Sequence, residues 1–182
     1  MTDILALDIA TQLGWARGRV GDVTPMFGHF RFAKPGASAA AVFGNAIKFL
    51  SAILEPQPRP DIVIVESLLP VLAKPGETDR EVRDRLSGLH AIARGVCFLR
   101  GVYQINEASV QQVRGHFIGI HNLKRDKAKA AVIGQCRRIG WQVENDDEGD
   151  ACALWSYACC LIDPELGTRT SPLFNPKLRA SA

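Results

Sequence analysis

The sequence predicts an α/β fold built on a mixed, five-stranded sheet that is flanked by helices. Residues 4–8 and 61–66 begin as short, uninterrupted apolar runs, which is typical of strands buried on both faces. Residues 14–20 and 26–32 have the character of two further strands joined by a hairpin turn. Helical segments separate the later strands, so those connections are crossovers and part of the sheet is parallel.

Breakers and capping residues give the remaining elements. A proline-rich stretch at residues 56–60 ends the first helix, and Ser109 is a suitable N-cap for a short helix. The chain therefore reads as three antiparallel strands, then parallel strands that alternate with helices, then helices. The predicted helices are residues 39–54, 80–99, 109–117, 124–139 and 147–162, and the predicted last strand is residues 102–106.

Composition indicates one ordinary globular domain. The chain has 182 residues, a net charge of +3 and 47% hydrophobic residues, which is enough for a single core. We predict a globular domain at residues 1–163 and an extended or disordered tail at residues 164–182, where periodicity is lost. The mildly basic charge permits an anionic partner without requiring one.

The cysteines and the hydropathy indicate a cytoplasmic protein without a membrane span. Five cysteines form no CxxC pair, and three of them lie in apolar helical patterns, which suits a reducing compartment. No cluster has the spacing of a zinc site. No signal-peptide pattern opens the chain, and no apolar run is long enough to cross a bilayer.

Four acidic residues lie at the ends of apolar segments. Asp8 and Glu66 each end a predicted strand, while Asp147 and Asp150 begin the last predicted helix. Taken singly, such residues are often turn formers or helix-start residues that favour the helix dipole. Taken together, they can meet at one point, where close carboxylates need a cation to stay ionised. Oxygen ligands of this kind suit Mg²⁺, and paired ions drive phosphodiester cleavage.

Basic residues precede the acidic helix. Lys124, Arg125, Lys127 and Lys129 fall within six residues, and Arg114 lies upstream. A run of charges is usually a solvated helix face. Its position next to the acidic residues instead favours contacts to a phosphate backbone. Further upstream, the arginines at positions 80, 83 and 85 are either a second basic rim or an exposed helix end.

These motifs resemble the RuvC family of Holliday-junction resolvases, in the RNase H-like superfamily, and particularly its bacteriophage-type members. The segment 4–8 followed by Gly14-Trp15-Ala16 is similar to the family's first strand and turn, and residues 61–66 to the strand with its glutamate. Residues 147–154 resemble its closing DxxDAxA helix. The resemblance covers roughly residues 4–161. Two departures are Ile9-Ala10 in place of a frequent Pro-Gly, and Leu69 in place of an aromatic residue.

The resemblance implies an RNase H-like fold and the activity of a crossover junction endodeoxyribonuclease. Such an enzyme nicks Holliday junctions or other branched DNA symmetrically and leaves 5′-phosphate and 3′-hydroxyl ends. It implies two Mg²⁺ ions, with Mn²⁺ as a substitute, and Lys129 as a catalytic cation at the phosphate. The implied metal ligands are Asp8, Glu66, Asp147 and Asp150. The implied DNA-binding residues are Arg80, Arg114, Lys124, Arg125, Lys127 and Lys129, with Leu69 as an apolar wedge.

The two-fold symmetry of a four-way junction calls for two active sites, so we expect a homodimer. An apolar stripe on the second predicted helix is the candidate interface. Its members are Leu86, Leu89, His90, Ala93 and Val96.

Three other functions stay open. The same fold serves nucleases that act on RNA–DNA hybrids or flaps. Asp8, Thr11 and Gly14 faintly resemble the phosphate loop of actin-like ATPases and sugar kinases, although those proteins normally need a second lobe. A binding module with an inactive site is disfavoured by the intact acidic residues.

Overall fold

The computed structural model describes residues 1–68 and 80–167, which form three layers: a central sheet with helices on both faces. None of the helices in these two ranges is long and apolar enough to cross a membrane. In chain order the elements are β1 (Asp3–Asp8), β2 (Gln12–Arg19), β3 (Met26–Arg31), α1 (Ala39–Ile53), β4 (Ile62–Glu66), α2 (Arg80–Leu99), β5 (Ile105–Ala108), α3 (Val110–Ile118), α4 (Arg125–Arg138), α5 (Asp146–Ile162) and a 3₁₀ helix (Pro164–Leu166).

The sheet has the strand order β3-β2-β1-β4-β5. The pairs β1–β2 and β2–β3 are antiparallel, whereas β4 is parallel to β1 and β5 is parallel to β4. The predicted fold class, a mixed five-stranded sheet flanked by helices, is therefore confirmed. The buried strands β1 and β4 lie next to each other at the centre, as their apolar sequences require.

The alternation of side chains along the central strands divides the core in two. Ile4 and Ala6 face a core that α3, α4 and α5 complete, whereas Leu5 and Leu7 face the core formed with α1 and α2. The apolar stripe of α2 belongs to the second core, where its Leu89 is only 1% exposed.

The candidate dimer interface on α2 is therefore wrong for four of its five residues, and the fifth, Leu86, is partly exposed. Leu89, Ala93 and Val96 are buried within one protomer, in the same core as α1, and His90 is also buried. The apolar stripe is a packing face, but it packs against elements of the same chain, α1 among them.

Most predicted boundaries agree with the structure to within two residues. The exception is β5, which begins at Ile105 rather than at position 102. Val102 is buried but belongs to the turn that ends α2, because its N–H donates to the carbonyl of Cys97 and Gly101 has a φ of 77°. The predicted Ser109 cap is confirmed, and it forms a capping box with Gln112.

The predicted division at residue 163 stays a prediction. The first residues beyond it are helical, since Pro164–Leu166 forms the 3₁₀ helix and Leu166 packs against the core. Residues 168–182 lie outside the described part of the chain.

The sheet and α5 approach each other closely at Gly14. A Cβ atom at this position would lie 1.9 Å from the carbonyl oxygen of Asp147. Gly14 is also the register partner of Asp8 across β1 and β2. The absence of a side chain here lets the first turn of α5 rest directly on the strand beside Asp8.

We predict that Gly14→Ala lowers the free energy of unfolding by about 3 kcal/mol, because backbone atoms of α5 must move to admit the methyl group. The matched control is Gly44→Ala in α1, where an added Cβ meets nothing within 4 Å. The control variant should be as stable as the wild type or more stable by up to about 1 kcal/mol. Urea unfolding of both variants measures this, and equal stability of Gly14→Ala and the wild type would contradict the packing account.

Candidate metal and nucleic-acid site

Asp8 and Glu66 end two neighbouring parallel strands at the same edge of the sheet. Leu7 and Val65 are register partners, and the two acids follow them directly. Both acids continue the alternation of residues that face α5 rather than α1 and α2. The strands therefore carry two carboxylates side by side, and both are partly buried.

The first turn of α5 brings the other two acids to this edge. Asn145 caps the helix, its side chain accepting a hydrogen bond from the backbone N–H of Glu148. Asp147 then lies over Gly14, and Asp150 follows one turn later on the same side of the helix. The four predicted ligands thus come from three separate elements and meet where β1, β4 and α5 join.

Electrostatics show how near to one another these acids are. The pKa of Asp8 is raised well above its usual range, first by burial and then by the charges of Glu66, Asp150 and Asp147. Burial and the charge of Asp150 raise the pKa of Glu66 to about 7. Burial also raises the pKa of Asp150 to about 6. Three carboxyl groups that hinder one another's ionisation form a site that a cation would stabilise.

The four carboxylates do not form a group in which three potential ligand atoms all lie within 4.8 Å of one another in the described part of the chain. Within residues 1–68 and 80–167, the group of three potential ligand atoms that lie within 4.8 Å of one another belongs to His29, Glu144 and Glu148. In that cluster both carboxylate oxygens of Glu148 already have partners. His29 Nδ1 lies 2.8 Å from Oε1, and the backbone N–H of Glu144 donates a hydrogen bond to Oε2 at 2.8 Å. We therefore interpret the cluster as a structural contact that joins β3 to the start of α5.

Two basic side chains lie beside the acids, as the sequence predicted. The charge of Arg114 on α3 lowers the pKa of both Glu66 and Asp150. The charge of Lys129 on α4 lowers the pKa of Asp8 and Asp150, and its ammonium group pairs with Asp146. These two cations reduce the net negative charge of the site.

The other predicted DNA contacts have different surroundings. Lys124, Arg125 and Lys127, which we call the basic edge, are exposed at the start of α4. Arg80 is also exposed, and it forms a 3.8 Å ion pair with Asp84 one turn along α2. Its role as a DNA contact stays a prediction, and Leu69 lies outside the described residues.

Sequence reasoning missed four residues that hold the site. They are Gln12, Arg31, Asp146 and Asn145. Asn145 and Glu148 carry the spacing of a capping box, so the cap was detectable. Gln12 and Asp146 make contacts over 135 and 17 residues respectively, which no local pattern indicates.

Comparisons with known proteins were made by sequence and by structure. No protein-family model matches the chain, and no curated protein matches it by sequence. The RuvC of T. thermophilus in complex with a Holliday junction substrate is similar with a TM-score of 0.66 and 16% identity, over 94% of this chain and 99% of that chain. A structure of Thermus thermophilus RuvC gives 0.64 and 17%, over 93% and 99%.

A third similar structure is the yeast mitochondrial Holliday junction resolvase, with a TM-score of 0.57 and 10% identity over 92% of this chain and 83% of that chain. At these identities the likeness concerns the fold. The chain therefore has the RNase H-like fold of the RuvC resolvases, as the resemblance of its motifs implied.

The raised pKa of Glu66 predicts a pH-dependent stability. With a folded pKa of about 7 and an ordinary value of 4.5, the native state binds more protons between these values. The stabilising contribution of Glu66 is fully present below pH 4.5 and is lost as the pH rises through 7. Partly buried His116, whose pKa burial lowers to about 4, has the opposite effect below its ordinary 6.5, so a matched variant is needed.

We therefore compare the wild type with Glu66→Gln in urea unfolding without divalent metal. The difference in unfolding free energy, wild type minus variant, should fall by on the order of 2 kcal/mol from about pH 5 to about pH 8. A difference that stays constant or grows with pH would show that Glu66 ionises normally in the folded protein.

Proposed function

We propose that this protein is a metal-dependent endonuclease that nicks branched DNA, with four-way junctions as its preferred substrate. One observation carries the proposal: four carboxylates from three elements meet beside two cations at an edge of the sheet. Structural packing does not require such a group, because its acids raise one another's pKa values. The likeness in fold to Holliday junction resolvases supports the choice of substrate.

The donor set suits hard divalent cations. The ligands that we propose are Asp8, Glu66, Asp147 and Asp150, all of which offer carboxylate oxygens. When bound, two Mg²⁺ ions, or Mn²⁺ in their place, supply an activated water and stabilise the leaving oxygen in a phosphodiester cleavage. Hydrolysis of this kind gives 5′-phosphate and 3′-hydroxyl ends.

The side chains around the acids have separate roles in this proposal. Lys129 neutralises the charge that builds on the phosphate, and its ion pair with Asp146 holds the ammonium group beside the acids. Arg114, which lies near Glu66 and Asp150, balances their charge and contacts the DNA backbone. The basic edge continues from Lys129 along the first turns of α4 and gives the backbone a path to the acids.

A four-way junction presents two equivalent scissile strands, so we further propose that a homodimer acts on it. Because the α2 stripe is buried within the protomer, the dimer uses another surface. Nucleases of this fold that act on hybrids or flaps would present the same acids, and the substrate panel below distinguishes them.

We predict that the purified protein nicks a synthetic immobile four-way junction symmetrically in Mg²⁺ and is inactive in EDTA. Asp8→Asn and Asp147→Asn should each reduce the cleavage rate by more than about a thousandfold, which corresponds to about 4 kcal/mol of lost transition-state stabilisation. Both variants should still bind the junction, because their cations are unchanged. Gel analysis of end-labelled strands measures cleavage and its symmetry.

Three-way junctions, flaps and RNA–DNA hybrids are the comparison substrates. Faster cleavage of hybrids or flaps than of four-way junctions would overturn the junction preference. Cleavage that survives in EDTA or in Asp8→Asn would overturn the metal-dependent mechanism.

The basic edge gives a second prediction, on binding. Neutralising Lys124 and Lys127 together, each to Gln, should weaken binding and reduce the slope of log affinity against log salt by about two, one for each lost phosphate contact. Lys48→Gln is the control, because this exposed lysine lies on α1, which packs on the other face of the sheet. Fluorescence anisotropy in Ca²⁺ or EDTA measures both, and an equal slope in the double variant and the control would contradict the proposed DNA path.

A further inference from the structure

Gln12 lies between an acid of the proposed metal site and an arginine. Its Nε2 donates a hydrogen bond to Oδ2 of Asp147, and its Oε1 accepts one from the guanidinium group of Arg31. Gln12 and Arg31 are register partners on β2 and β3, so the pairing of these strands keeps the two residues next to each other. Gln12 is partly buried, whereas Arg31 is exposed.

Arg31 helps to hold the Gln12 amide in its orientation. An amide has a donor end and an acceptor end, and a guanidinium group has donors alone. The amide oxygen must therefore face Arg31, which turns the NH₂ group towards Asp147. The carboxylate of Asp147, which only accepts, favours the same orientation, so removing Arg31 removes one of the two contacts that hold the amide in place.

The neutral amide also keeps the positive charge of Arg31 out of direct contact with the carboxylate of Asp147. A direct guanidinium–carboxylate pair would neutralise Asp147 and compete with a metal ion for its oxygens. The neutral amide instead gives Oδ2 a hydrogen bond and leaves Oδ1 for a cation. The same arrangement limits rotation of the carboxylate, since Oδ2 is held towards β2.

We propose that Gln12 is the positioning residue of Asp147 in the metal site, and that Arg31 acts through Gln12 by fixing its amide. This inference rests on the proposed function, in which Asp147 is a metal ligand. Partners of this kind typically change metal affinity by 10- to 100-fold when they are removed.

The test is calorimetric titration of the full-length protein with Mn²⁺, in the absence of DNA. Gln12→Met keeps the length of the side chain and removes both hydrogen bonds, and it should weaken Mn²⁺ binding by about 10- to 100-fold. Arg31→Met, on an exposed side chain, should weaken it by a smaller factor. In the Gln12→Met background Arg31→Met should have no further effect, because Arg31 acts through the amide.

The variant Asp147→Asn distinguishes a failure of the positioning role of Gln12 from a failure of the proposed metal site. If the wild type binds Mn²⁺ and Asp147→Asn weakens that binding, while Gln12→Met stays within about twofold of the wild type, the positioning role is overturned and the metal site stands. If Arg31→Met weakens binding equally in both backgrounds, Arg31 does not act through Gln12. If Asp147→Asn binds Mn²⁺ as the wild type does, the proposed ligand set fails, and the role of Gln12 fails with it.

Discussion

The contact on which the site depends is the one between the first turn of α5 and a strand that has no side chain to hold it away. Gly14 lies opposite Asp8 in the sheet, and the carbonyl of Asp147 occupies the space where a Cβ atom would be. Any larger residue would lift α5 away from the central strands. Asp147 and Asp150 would then separate from Asp8, while the strands themselves would still pair. The geometry of the acids is thus set by backbone packing, and the side chains only complete it.

This packing holds acidic side chains close together at one edge of the sheet, where their charges repel one another. All four carboxyl groups have raised pKa values there, first because they are buried and then because acidic neighbours lie near them. The nearest cations, Arg114 and Lys129, relieve the repulsion without cancelling it, and Lys129 is itself paired with Asp146. A fold selected for stability alone would replace such acids with apolar residues or move them into solvent. Their retention at a strand edge is what an ion-binding and phosphate-binding function accounts for.

The sequence was sufficient to predict those features of the fold and of the site that depend on local patterns. Strand ends, the period of two and the acidic start of the last helix together indicated Asp8, Glu66, Asp147 and Asp150, and the structure brings them to one edge. It was insufficient where a contact depends on three-dimensional packing. The stripe on α2 has the apolar pattern of any interface, and only the position of α1 shows that Leu89 is buried in the protomer. The contacts of Gln12 and His29 with α5 join residues more than a hundred positions apart, through a hairpin whose register a single sequence does not give.

The central claim is that the four acids, rather than the tighter cluster of His29, Glu144 and Glu148, hold the catalytic ions. Crystals of the protein soaked in Mn²⁺ test it most directly, because anomalous scattering locates the metal independently of any activity. The account predicts anomalous peaks between the strand ends and the start of α5, coordinated by Asp8 and Asp150. Peaks confined to the His29 cluster, or no peak at the strand edge at saturating Mn²⁺, would contradict it.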